Sequence, residues 1–426
     1  MDRKSYQAAT LAVQAGYNPG NGDPRITPLV QSTTFRYSDA QSVAELFDLK
    51  REGYFYTRLA NPTVAVLEEK VAALEHGVGA VAVSSGQTAN TLAILNIAGA
   101  GDHIVAASAL YGGTVNLFTV TLPKMGLKFT LVPPDASEAE IAAAVRPNTK
   151  AIFAETIANP ALNVVDFDKF VRVAKRFELP FIVDNTFPTP ILCNPIDFGA
   201  NIVTHSSTKY LDGHATSVGG IIVEGGNYPW DNGKFPELCT PDASYHGVVY
   251  TRDFPQCPYT MKMRAQWVRD LGTPLSPMNA WLTNLGCETL AVRMERHCAN
   301  ALAMAEFLQG HPKVAWVSYP MLPGDSEYER AKKYLRGGSG VLSFGVKGGR
   351  AAATKLIGAL KLAALVVHVA DVRTCVLHPA SMTHRQLSEE ELAAAGVSPD
   401  LIRVTVGIEN IDDIIADFDQ ALAKVN

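Results

Sequence analysis

Near the middle of the chain, residues 200–220 read ANIVTHSSTKYLDGHATSVGG. Ile202 and Val203 suit a short buried strand, after which the run turns polar at His205, Ser206, Ser207 and Thr208 before reaching Lys209. A lysine fixed just past a strand end has little freedom to wander, and once deprotonated it is an amine nucleophile. The hydroxyls around it suit a phosphate. Together these residues point to a Schiff base with a phosphorylated aldehyde. Read alone, Lys209 is more readily a solvated surface cation, so the choice rests on what else the chain brings to it.

Several other residues have chemistry of the same kind. Asp184 closes the apolar run FIVD, where a carboxylate requires a partner because an unpaired buried charge is costly; a protonated pyridine nitrogen is one such partner. Ser84, Ser85, Gly86 and Gln87 lead into the helical stretch TANTLAILNIAG. Gly86 permits a tight turn there, and the first free amides of the helix would bind phosphate; a plain helix cap fits the same residues. Tyr111, in YGGT, would lay its ring on a flat ligand or simply pack a loop. Arg58 follows Tyr54 and Tyr56, just ahead of a helix start at Asn61 and Pro62, and would serve either an anion or a surface ion pair.

The elements that must position these groups recur between residues 80 and 223. AVAVSS, HIVAAS, KFTLV, KAIFAE, PFIVDN, NIVTHS and SVGGIIVEGG alternate with helical patterns. Such alternation predicts an α/β fold with a mainly parallel seven-stranded sheet and helices on both faces. Ligands of open sheets collect beyond the carboxyl ends of the strands, where Ser84, Glu155, Asn159, Asp184, Asn185 and Lys209 fall. Residues 1–61 read as an N-terminal arm, Gly- and Pro-rich over 16–28, that reaches a neighbouring subunit. Residues 62–274 form the large domain, with an insertion over 225–260, and 275–426 a smaller α+β domain. Within the latter VAWVSY and SGVLSFGV read as strands, and NALAMAEFLQG, RAAATKLIGAL and IDDIIADFDQALAKV as helices.

Composition excludes several classes of function. A length of 426 residues exceeds one compact core, and 47% hydrophobic with 19% charged residues is ordinary for a folded chain. A net charge of −5 with no basic block argues against nucleic acid and anionic membrane as partners. The six cysteines form no CxxC pair, which argues against a disulfide framework and fits a reducing cytoplasm. No apolar run reaches the ~18 residues of a membrane span.

The order of these signals is more specific than any one of them. YTRLANPT, SSGQTAN, YGGT, ETIANP, VDNTF, HSSTK, LSPMNA, RMERHCANA, HPASMTH and IRVTVGIEN together resemble the Cys/Met metabolism group of pyridoxal-phosphate enzymes, of the aspartate aminotransferase fold. The resemblance covers essentially the whole chain. It implies that Lys209 carries pyridoxal 5'-phosphate and shuttles protons, that Asp184 pairs with the ring nitrogen, and that Tyr111 stacks on the ring. By the same resemblance Gly86, Gln87, Ser206 and Thr208 hold the phosphate, joined by Tyr56 and Arg58 from a neighbouring subunit of a tetramer built from dimers. Asn159 then lies near the ring's phenolic oxygen, and Arg403 clamps the substrate carboxylate.

Within the group the chain is similar to the O-acetylhomoserine sulfhydrylase branch, by Gln87 and by GGNYPWDNGKFPELCTPDASYHGVVYTRDF at 225–254. That branch replaces acetate on O-acetylhomoserine with sulfide or methanethiol. A loop of this length inside a compact domain is expected to be functional or part of an interface.

Departures remain. Where the family commonly has Ser or Asn followed two residues later by Gly, thirty-five positions before its carboxylate-binding arginine, this chain has His368, Val369 and Ala370; a short deletion is the other reading. His368 thus becomes a substrate-side candidate. Arg373 is an added cation, and Asp212 stands where glycine is common. His378 and His384 invite a metal, but no acidic or cysteine ligand lies close in sequence. GAGDHI at 99–104 lacks the third glycine and the preceding strand of a dinucleotide fingerprint.

Overall fold

The structure, a computed structural model, describes residues 6–382, 385 and 397–425. The seven apolar runs become β1 (Gly79–Val83), β2 (His103–Ala107), β3 (Lys128–Val132), β4 (Thr149–Glu155), β5 (Phe181–Asp184), β6 (Ile202–His205) and β7 (Gly220–Glu224). They form one sheet in the order β1-β7-β6-β5-β4-β2-β3. β7 runs antiparallel to β1 and β6, and every other pairing is parallel. The mainly parallel sheet expected from the sequence is therefore present.

Successive strand residues point to opposite faces, so each face needs its own cover. On one face Val105, Ile152, Val183 and Val203 pack with Leu67 and Val71 of the helix Pro62–Leu74 and Phe170 and Val173 of the helix Phe167–Arg176. On the other, Val81, Ile104, Phe153, Ile182 and Ile202 meet Leu92 and Ile94 of the helix Gly86–Leu95.

The insertion completes that second face. Trp230, Phe235, Leu238, Tyr245 and Tyr250 are buried in the same cluster, and Trp230 stacks on Tyr259 with centroids 5.1 Å apart. The backbone N–H groups of Tyr259 and Thr260 both donate to the carboxylate of Glu224 at the end of β7. Aromatic side chains here do what a covering helix does elsewhere, and they exclude water from the sheet.

The first sixty residues hold more structure than an arm. The helix Ala8–Gln14 docks Leu11 and Ala12 near Leu74, and buried Lys70 donates from Nζ to the carbonyl of Ala12. A second helix, Ala40–Phe47, is capped by Asp39 accepting from the N–H of Ser42. Neither helix exceeds eight residues, and the first has no side-chain cap. Such segments are marginal alone, so docking and not local signal forms them. Gly16 to Pro28 lacks regular structure, as its composition predicts.

The C-terminal sheet runs β10-β11-β12-β9-β8, comprising β8 (Val314–Ser318), β9 (Val341–Val346), β10 (Ala364–Leu365), β11 (Cys375–Leu377) and β12 (Leu401–Thr405). The helices Gly349–Ala359 and Ile411–Ala423 cover it, as predicted. The link to the large sheet is not a linker. The helix Pro277–Glu288 puts Ala280 and Cys287 in the large-sheet core. The following helix, Leu290–Gly310, gives Leu290 and Met294 to that core and Met304 and Leu308 to the smaller one. A single helix embedded in two cores fixes the small sheet over the carboxyl ends of the large one.

Candidate active site

Two strand ends supply the floor. Glu155 and Asp184 close β4 and β5, and Lys209 follows in the turn after β6, whose last residue, His205, turns its ring to the opposite face and onto Glu75. That turn is tied by Lys209 N–H to the carbonyl of Ser206 at 3.2 Å and Gly213 N–H to the carbonyl of Lys209 at 2.7 Å. Burial, and then the charge of Arg403, lower the Lys209 ammonium from its ordinary value to about 8. A depressed lysine is half neutral near pH 8, so reloading of cofactor into stripped protein should accelerate as pH rises through about 8. Stopped-flow absorbance at several pH values checks this, and a rate that is flat from pH 7 to 9 would contradict it.

Asp184 is locked in place. Its Oδ1 accepts from Thr186 N–H at 3.0 Å and Thr186 Oγ1–H at 2.5 Å, and its Oδ2 from Asn90 Nδ2 at 3.1 Å. Asn90 is itself held by Thr204, whose hydroxyl donates to its Oδ1 at 2.6 Å. Sequence reading missed Asn90 and Thr186. The available signal was a polar residue on the sheet-facing side of an apolar helix, and a hydroxyl two residues past Asp184.

A phosphate cradle lies beside them. Ser85 caps the helix Gly86–Leu95 by accepting Thr88 N–H on Oγ at 3.1 Å, which leaves the amides of Gly86 and Gln87 without intrahelical acceptors. A Cβ added to Gly86 would meet Cβ of Ser206 at 2.5 Å. Only glycine lets the helix start approach Ser206 so closely. The hydroxyl of Thr208 donates to the carbonyl of Gly219 at 3.2 Å and accepts from its N–H at 3.1 Å, so it secures the turn, while Ser206 leaves its hydroxyl uncommitted. Two free amides, a helix dipole and that hydroxyl fit a phosphate.

Tyr111 caps the short helix Gly112–Asn116, and its ring is half exposed. A Cβ on Gly113 would meet ring atom Cε1 at 2.5 Å, so the ring folds back over that glycine. The second glycine of YGGT, Gly113, thus sets the pose of the aromatic.

Arg403 arrives from β12 and is 6% exposed. Its Nη1 donates to Oδ1 of Asn159 at 3.2 Å and its Nη2 to the carbonyl of His368 at 3.2 Å. Its Nε, and Nε2 of His368, are buried and find no hydrogen-bond partner among the described residues. Burial pushes the imidazole of His368 below its ordinary range, and the charges of Lys209 and Arg403 add to this. A buried guanidinium with no carboxylate of its own suits an anionic ligand.

Two predicted residues stand apart from this cluster. Tyr56 is 39% exposed, the Arg58 guanidinium lies 5.2 Å from its ring centroid, and Arg58 donates to the carbonyl of Arg269. The unexplained residues gain structural duties. Asp212 ties its loop by accepting from Thr216 Oγ1 at 2.6 Å and from the N–H groups of Thr216 and His214. Arg373 pairs with Asp371 and donates to the carbonyl of His214 at 2.9 Å, joining that loop to the small domain. His378 uses both ring nitrogens, on Ser381 Oγ and the carbonyl of Pro399; His384 lies outside the described residues.

Comparison with known proteins agrees with this geometry. Residues 9–423 match the Cys/Met metabolism PLP-dependent enzyme family. An O-acetyl-L-homoserine sulfhydrylase of Leptospira meyeri is 46% identical, covering 99% of this chain and 98% of its own. A homocysteine synthase of Schizosaccharomyces pombe is 47% identical over 99% of both. The crystal structure of metY from Campylobacter jejuni, which carries N'-pyridoxyl-lysine-5'-monophosphate, superposes with a TM-score of 0.95 at 36% identity, covering 98% of this chain and 100% of that one. A lysine, a carboxylate and a phosphate cradle at the strand ends, together with these matches, place the chain in the Cys/Met metabolism family of pyridoxal-phosphate-dependent enzymes.

Proposed function

We propose that this enzyme replaces the acetoxy group at the γ carbon of O-acetyl-L-homoserine with sulfide, giving L-homocysteine and acetate, with methanethiol as an alternative nucleophile that gives methionine. The observation that supports this best is the pairing of a half-neutral Lys209 with a buried, carboxylate-free Arg403 over one floor. Pyridoxal phosphate, when bound, supplies a sink for the electrons left when the substrate's α proton departs.

The rest is done by the chain. Lys209 holds the cofactor and then serves as the base that takes the α proton. Asp184, fixed by Thr186 and Asn90, would pair with the ring nitrogen and keep it protonated. Tyr111 would cover the ring, and Asn159 would hold its phenolic oxygen. Gly86, Gln87 and Ser206 would take the phosphate, with Thr208 securing the turn that carries Ser206 and Lys209. Arg403 grips the amino acid's carboxylate, with His368 beside it, and this orients the γ carbon so that acetate leaves and hydrosulfide adds there.

Tyr56 is exposed and makes no contact with the Lys209 cluster that the structure records, and Arg58 bonds the carbonyl of Arg269, which supports a homotetramer of dimers in which they complete a neighbour's phosphate site. Six unpaired cysteines suit the reducing cytoplasm.

Purified enzyme with O-acetylhomoserine and either sulfide or methanethiol, its products identified by mass, tests the reading. Homocysteine from sulfide, or methionine from methanethiol, is expected in an amount equal to the acetate released. Steady 2-oxobutanoate from methionine alone would establish a γ-lyase instead.

A further inference from the structure

Glu155 has no assigned part in the site, yet it lies directly beside Asp184. The two residues are register partners on the adjacent parallel strands β4 and β5, so their side chains leave the same face about 5 Å apart. Glu155 is 8% exposed, and its Oε1 accepts the backbone N–H of Tyr111 at 2.7 Å. The groups facing it are Asp184 from β5 and that amide from the loop after β2.

Two carboxylates this close in a dry site cannot both keep a charge cheaply. The hydrogen bonds decide which one does. Asp184 accepts three, from Thr186 N–H, Thr186 Oγ1–H and Asn90 Nδ2, whereas Glu155 accepts one. Donors stabilise the ionised form, so the charge rests on Asp184 and the proton on Glu155.

We infer that Glu155 is a positioning residue, an uncharged carboxylic acid whose carbonyl oxygen anchors the main chain of Tyr111 while Asp184 remains the one anion beneath the cofactor ring. Burial, and then the charge of Asp184, hold the Glu155 carboxyl well above the ordinary carboxylate range, in agreement with this. An ionised Glu155 would place a second negative charge under the ring and would draw the cofactor's proton affinity upward.

This inference rests on the cofactor lying over Asp184. Its test is a pH titration of the visible absorbance of holoenzyme, with KM and kcat measured on the same samples. In Glu155→Gln the amide oxygen still accepts from Tyr111 and no charge changes. The absorbance midpoint and KM should therefore match the parent.

Glu155→Ala removes the acceptor. It should retain bound cofactor but lose roughly tenfold in kcat/KM as Tyr111 drifts, the cost of one charge-free hydrogen bond at a site residue.

A midpoint shift of about one unit or more in Glu155→Gln would show that Glu155 carries charge and would overturn the inference. So would parental kinetics in Glu155→Ala. If Glu155→Ala fails to fold, Glu155→Gln still decides the charge. Failure of the cofactor placement itself reads differently, because parent protein would then show no titrating visible band at all.

Discussion

Lys209→Ala is expected to remove the holoenzyme's visible absorbance near neutral pH and to cut turnover by roughly 10,000-fold, the upper range for loss of a positioned proton-transfer group. The effect is large because one amine does two jobs, holding the cofactor and moving the α proton. Among the described residues, the nearest cations are poor substitutes: a guanidinium holds its proton, and burial and neighbouring cations keep the His368 imidazole a weak base. Lys209→Arg should be no better, since a guanidinium neither forms the covalent link nor gives up its proton. The spectrum of purified protein with added pyridoxal phosphate is the decisive reading. Retention of the parental band in Lys209→Ala would remove the basis for every role given to that side chain.

Arg403→Ala should weaken binding of the amino acid by about 3 kcal/mol, roughly 100-fold, because a buried ligand carboxylate would be left without its cation. Cofactor binding should hardly change, since the guanidinium reaches Asn159 and the carbonyl of His368 and not the phosphate cradle. Titration with a non-reacting amino-acid analogue, followed by absorbance, separates the two effects. Unchanged analogue affinity would place the carboxylate elsewhere in the site. Arg403→Lys is expected to recover only part of the loss, because a point charge cannot reproduce the planar fork.

Six of the seven sheet strands were legible because each is an apolar run closed by a polar residue, and because a sheet buried on both faces leaves little room for polar alternation; β3, the partly exposed edge strand, alternates Lys128 and Thr130 with apolar residues and is closed by Pro133. Asp184 and Lys209 were legible for the same reason: each interrupts such a run where the fold places ligands. The helix Pro62–Leu74 declared itself through Asn61 and Pro62, and Asn61 does cap it, accepting Thr63 N–H at 2.9 Å. By contrast, β10 has two residues and β11 three, too few to show any period. The insertion read as a loop because its aromatics lack regular spacing, although they are buried.

By itself the sequence determined which groups are present and at which strand ends they fall, since periodicity and turn residues are local properties of the chain. Only the tertiary structure decided how they meet. Arg403 lies 244 residues from Asn159, and Asn90 lies 94 from Asp184. No local pattern encodes such pairings, because packing of two sheets across one shared helix sets them. The same packing buries Glu155 beside Asp184, and so turns a carboxylate that reads like any other in the sequence into a neutral support.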